Sequence, residues 1–102
     1  MLHITTDAEF KKEVLDEQTK PVLVDFFAKW CVPCKVLGPV VEKLEADNPN
    51  VKVVEVDVDL AQDLSMKYGV MSIPTIYVFK KGKMTQQFIG AQDQKTLEAA
   101  LA

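Results

Sequence analysis

The chain has 102 residues, enough for one domain with its own apolar core and too few for two. Hydrophobic residues make up 48% of it, yet no apolar run nears the ~20 residues of a membrane span. The net charge is −3 and all twelve basic side chains are lysines. Without guanidinium forks there is no bidentate reader of phosphates or base edges, so a nucleic-acid partner is not expected, and without a spanning run neither is a membrane one. The opening stretch, Met1 to Phe10, lacks the basic-then-apolar pattern of a signal peptide, which makes the cytoplasm the expected location. A single histidine, His3, stands near the start, so neither a His-based triad nor a metal site is expected.

Leu2 and Ile4 suggest a short first strand. Thr6-Asp7-Ala8-Glu9 reads as a capping box, opening a helix that ends near Glu17 and turns Phe10, Val14 and Leu15 inward. Val22 to Ala28 is apolar on both alternating faces, as a central strand covered by helices on both sides should be. A helix from about Cys31 to Ala46 follows, with Val36, Leu37, Val40, Val41 and Leu44 as its apolar stripe. Pro33 fits its first turn, where no amide partner is lost, whereas Pro39 lies inside the pattern and should kink it. Val51 to Val58 alternates as a second inner strand. Leu60 to Tyr68 forms a short helix closed by Gly69 in the left-handed conformation. Thr75 to Phe79 and Met84 to Ile89 form a hairpin around Gly82, and Asp93 or Gln92 opens a last helix that buries Leu97, Ala100 and Leu101. The order β-α-β-α-β-α-β-β-α predicts an α/β fold: a central mixed five-stranded sheet flanked by four helices, in a single domain over residues 1–102.

The chemistry sits in Trp30-Cys31-Val32-Pro33-Cys34-Lys35, which holds both cysteines and the only tryptophan. Two thiols at this spacing, where a buried strand meets a helix, can close a disulfide or act as a nucleophile pair. As a staple they would constrain very little chain. One such pair supplies two ligands where a closed zinc site needs four. Cys31 falls at the helix N-terminus, where free amides and the helix dipole favour the thiolate, the attacking species in exchange. Cys34, one turn on, is expected to be more buried and to resolve a mixed disulfide by attacking the Cys31 sulfur. Asp25 is a carboxylate within an apolar strand. Burial without a cation should raise its pKa, as a proton acceptor for Cys34 requires. A solvated Asp25 at the strand end is the alternative.

These residues, with Ile73-Pro74-Thr75 before the hairpin, resemble the thioredoxin family along essentially the whole chain. Val24-Asp25-Phe26, Ala28, Pro39, Asp59, Tyr68-Gly69-Val70, Phe79-Lys80, Gly82 and Gly90-Ala91 stand where the family has them. The resemblance implies the thioredoxin fold, reduction of protein disulfides at Cys31 and Cys34, and Asp25 as the proton acceptor, often through a bound water. It also implies a cis bond before Pro74, which would offer the Ile73 backbone to an extended substrate. Trp30, Val32, Met71, Ile73, Pro74, Ile89, Gly90 and Ala91 would form the apolar substrate surface, with Val32 and Pro33 tuning the redox potential. No cofactor is expected beyond the redox-active Cys31–Cys34 pair. The partners implied are protein disulfides and a separate thioredoxin-reductase-type enzyme, since the chain has no nucleotide-binding glycine motif; a monomer is expected. A disulfide oxidant or isomerase, or a non-redox assembly scaffold on the same fold, stays open.

Four departures from the family pattern stand out. Val32 replaces a usual glycine, Phe27 a common tryptophan and Ser72 a frequent glycine. Glu55 replaces a lysine that often sits near the buried acid. If Glu55 points the same way as Asp25, it should push the Asp25 pKa higher still; otherwise it points to solvent.

Overall fold

The computed structural model describes residues 1–102. The elements are β1 (Leu2–His3), α1 (Asp7–Phe10, continued as a wider turn over Lys11–Leu15), β2 (Val22–Phe27), α2 (Val32–Asp47) and β3 (Lys52–Asp57). They are followed by α3 (Gln62–Lys67), β4 (Thr75–Lys80), β5 (Lys83–Ile89) and α4 (Gln94–Leu101). Sheet order is β1-β3-β2-β4-β5, with β1, β3 and β2 parallel and β4 and β5 antiparallel. No helix is long and apolar enough to cross a membrane.

The two-faced apolar pattern of β2 has its counterpart in two cores. Val22, Val24 and Phe26 point to one face, where they pack with Phe10, Val14 and Leu64 of α1 and α3. Leu23 points to the other, with Leu37, Val41 and Leu44 of α2 and Leu97 of α4. A strand so covered buries every residue but its last, and it carries the start of α2 to the sheet's C-terminal edge.

Local chemistry sets the ends. Thr6 and Glu9 form a reciprocal capping box on α1, and Asp93 caps α4 by accepting the Thr96 N–H at 2.8 Å. α1 differs from the regular helix to Glu17 that periodicity suggests. Its last turn is π-wound, Asp16 N–H donating to the Lys11 carbonyl five residues back, and it ends at Leu15. α2 runs through Pro39 as one element. Its stripe is narrower than expected: Val36 is 62% exposed, and only Leu37, Val41 and Leu44 are fully covered, with Val40 partly so. α3 begins at Gln62 rather than at Leu60, which is exposed.

The β4–β5 hairpin closes on Lys81 and Gly82 with φ of 52° and 78°, both in the left-handed region demanded by a two-residue turn of matching twist. Gly82 is doubly constrained, because a Cβ there would sit 2.5 Å from the Leu15 carbonyl oxygen at the end of the π-turn. Gly82→Ala is therefore expected to destabilise the protein by about 1–3 kcal/mol, measured by denaturant unfolding.

Candidate active site

β2 ends at Phe27, the chain turns through Ala28–Trp30, and α2 starts at Val32 with Cys31 as its N-cap. Cys31 and Cys34 are joined as a disulfide, with Cα atoms 5.2 Å apart. Pro33 occupies the first turn, where its missing amide costs nothing. The Cys34 N–H donates to Cys31 Sγ at 3.2 Å. An amide aimed at this sulfur at a helix start favours a thiolate once the bond is reduced. The expectation that Cys34 is the more buried thiol is corrected: the two are 5% and 6% exposed. What separates them is position, Cys31 as the cap and Cys34 inside the first turn.

Asp25 stands beneath α2. Side chains alternate along β2, so Leu23, Asp25 and Phe27 share a face. Leu23 packs under Leu37 and Val41, while Phe27 packs beside Cys31 and Cys34. Asp25 lies between them, facing the first turns of the helix. It is 1% exposed, and its Oδ1 has no hydrogen-bond partner in the protein. The solvated alternative does not hold. Burial is the chief cause that pushes its carboxyl up to about 7, with the charge of Glu55 adding to it.

Glu55 is the register partner of Asp25 on β3, so the two carboxylates lie side by side on one face. It does not point to open solvent, being 8% exposed. Burial raises its carboxyl as well, opposed by His3 and the Met1 amine. His3 Nε2 lies 3.4 Å from Glu55 Oε1. The β1–β3 pairing places His3 in the same row as Glu55 and Asp25. A cleft of about 280 Å³ opens between α2 and the sheet, lined by Phe27, Ala28, Lys29, Cys34, Lys35, Gly38 and Glu55. Gly38 helps to keep it open, a feature that periodicity along α2 did not suggest.

Across from the sulfurs, the Ile73–Pro74 bond is cis, and Cys31 Sγ lies 3.8 Å from the Ile73 carbonyl oxygen. Neither the N–H nor the C=O of Ile73 has a backbone partner. The Pro74 carbonyl is taken by the Gly90 N–H at 2.8 Å, which ties the two loops together. Trp30, Val32, Met71, Ile89 and Ala91 are exposed around the disulfide, Ile73 and Gly90 partly so. Pro74 lies behind this exposed surface. It is buried, and its cis bond fixes the direction of the Ile73 backbone. Gly90 has φ of 95°, and a Cβ there would point into open space, so no side chain hinders a backbone approaching this loop. The Trp30 indole N–H donates to Asp59 Oδ2 at 2.9 Å, while the Asp59 N–H donates to Asp57 Oδ1. This anchor was invisible along the sequence, where the partners stand 29 residues apart.

A disulfide at the start of a helix, facing an unpaired backbone and with a buried carboxyl beneath, defines a thiol–disulfide oxidoreductase. The thioredoxin family model matches residues 1–102. Thioredoxin C-2 of Corynebacterium nephridii is 45% identical over 96 residues, 93% of this chain and 88% of that protein. The thioredoxin of Mycoplasmoides gallisepticum is 43% identical over 99% of both chains. Among solved structures, Fasciola hepatica thioredoxin superposes with a TM-score of 0.91 at 36% identity, covering 98% of this chain and 96% of its own. Oxidised mitochondrial thioredoxin 3 of Saccharomyces cerevisiae gives 0.89 at 31% identity, over 99% and 92%. The chain belongs to the thioredoxin family. It is a protein-disulfide reductase with a redox-active Cys-x-x-Cys centre, in a family that works with disulfide substrates and a reductase.

The buried acid carries a stability cost with a definite pH window. Asp25 binds its proton more tightly folded than unfolded, so stability falls as pH rises from the ordinary value of 3.8 through about 7, then levels. A rise of that size corresponds to at most about 4 kcal/mol. Asp25→Asn in the disulfide form should therefore be the more stable protein above neutral pH and lose that advantage near pH ~4, read from denaturant midpoints across pH.

Proposed function

We propose that Cys31 is the attacking thiolate, Cys34 the resolving thiol and Asp25 the base that takes the Cys34 proton. The observation that carries this assignment is the 3.2 Å hydrogen bond from the Cys34 amide to Cys31 Sγ at the start of α2. In the reduced protein, Cys31 Sγ attacks one sulfur of a substrate disulfide, the bond between the substrate sulfurs breaks, and the second leaves as a thiolate. Cys34 then loses its proton to Asp25 and attacks Cys31 Sγ. The mixed disulfide breaks, the first substrate sulfur leaves, and Cys31–Cys34 closes, two electrons having passed to the substrate.

Substrates are taken as extended segments. Ile73 offers a free N–H and C=O beside the sulfur, as an added strand requires. Trp30, Val32, Met71, Ile89 and Ala91 cover the flanks with apolar surface, Gly90 leaves room for the partner's backbone, and Pro74 sets the Ile73 geometry. Val32 and Pro33, between the sulfurs, tune potential and partner choice. The protein acts as a monomeric single domain over residues 1–102. It works without a bound cofactor and is recycled by a separate reductase in the cytoplasm, where thiols are kept reduced. Its partners are proteins, with no nucleic-acid or membrane role.

Cys31→Ser should reduce insulin-disulfide reduction to background, whereas Cys34→Ser should accumulate mixed disulfides that dithiothreitol releases. Trapping by the Cys31→Ser protein instead would reverse the two roles, and retained activity would remove the mechanism. Val32→Gly removes apolar surface from the collar. It should weaken docking of protein disulfides by about 1 kcal/mol, a rise in KM of about fivefold, without a matching effect on small disulfides.

A further inference from the structure

His3, Glu55 and Asp25 are consecutive partners across β1, β3 and β2, so their side chains stand in one row on the face beneath α2. Exposure falls steadily along that row: His3 is exposed, Glu55 is 8% exposed and Asp25 is 1% exposed. In the other directions Asp25 meets apolar walls. Ile76, its partner on β4, and Leu23, its neighbour along β2, are both fully buried. The cleft beside Gly38 has Cys34 on one wall and Glu55 on the other. A proton placed on Asp25 therefore has polar company on one side only.

We propose that this row is the route by which the proton taken from Cys34 reaches solvent, with Glu55 as the positioning residue that carries it from Asp25 to His3 and the cleft. The inference rests on the reading of Asp25 as the base for Cys34. When the Cys34 sulfur bonds to Cys31 Sγ, its proton goes to Asp25, then through a water to the Glu55 carboxylate of the neighbouring strand, then to the His3 ring or to solvent. No electrons move along the row, and reduction of the disulfide runs it inward. Carboxyls that exchange protons do so best when their affinities are close, and burial raises both Asp25 and Glu55 above the ordinary range. The other charges around Glu55 are Glu42 and Glu45 of α2 and the Met1 amine, with Lys29 and Lys35 at the cleft.

The test is a single turnover with a protein disulfide, acid-quenched to follow formation and decay of the mixed disulfide between about pH 5.5 and 8. Glu55→Gln should slow the decay by about tenfold while leaving formation within about twofold. Rising concentrations of imidazole or acetate, small enough to enter the cleft, should restore the lost rate. His3→Asn, which keeps Glu55 and serves if the first variant folds poorly, should slow decay to a smaller extent with the same buffer response. Decay at the parental rate in these variants, or slow decay that buffer does not restore, would overturn the relay. Asp25→Asn run alongside separates the two readings. Parental decay in that variant removes Asp25 as the base, whereas slow decay there with parental Glu55→Gln removes the relay alone.

Discussion

The hydrogen bond from the Cys34 amide to Cys31 Sγ is the interaction on which the site turns, and much of the fold exists to hold it in place. An amide can meet that sulfur only if Cys31 is the N-cap of α2, and Cys31 is the cap only because β2 ends a few residues earlier. β2 in turn is fixed by two cores, Val22, Val24 and Phe26 on one side and Leu23 on the other. The position of a single sulfur is thus set by packing that extends through the whole sheet, which is how a reactive atom is held in a fixed place.

The same packing sets the acid beneath. A carboxylate in the middle of a doubly covered strand opposes everything else in that strand, and the second carboxylate beside it adds to the opposition. Apolar residues at both places would give a tighter sheet. The arrangement is a local conflict between the sheet's packing and a carboxyl held with its proton affinity near neutrality.

Much of this was legible along the chain because the relevant signals are local or periodic. The apolar run of β2, the Thr6–Glu9 box, the Lys81–Gly82 turn and the cysteine spacing each depend on a few neighbouring residues. Asp25 was legible as an anomaly, since a charge within an apolar run stands out without knowledge of its surroundings. The misses share a different cause. The π-turn over Lys11–Leu15 ends against the hairpin at Gly82, a neighbour far off in the chain that local periodicity does not register. Val36 has the right spacing for burial, yet α2 covers the sheet with a narrower stripe. Equal burial of the two cysteines follows from the loops around Ile73, and the place of His3 from strand pairing, which periodicity cannot see.

A sheet with open borders invites pairing with copies of itself, so those borders have consequences for solubility. β1 is two residues long and offers little to a second strand. β5, at the opposite border, exposes Lys83, Thr85, Gln86 and Gln87, and its pairing with β4 is broken by an irregularity at Val78/Phe79. Short, polar or bent borders are poor templates for further pairing. Neither border of the sheet therefore offers a long, flat, apolar edge on which a second chain could extend it.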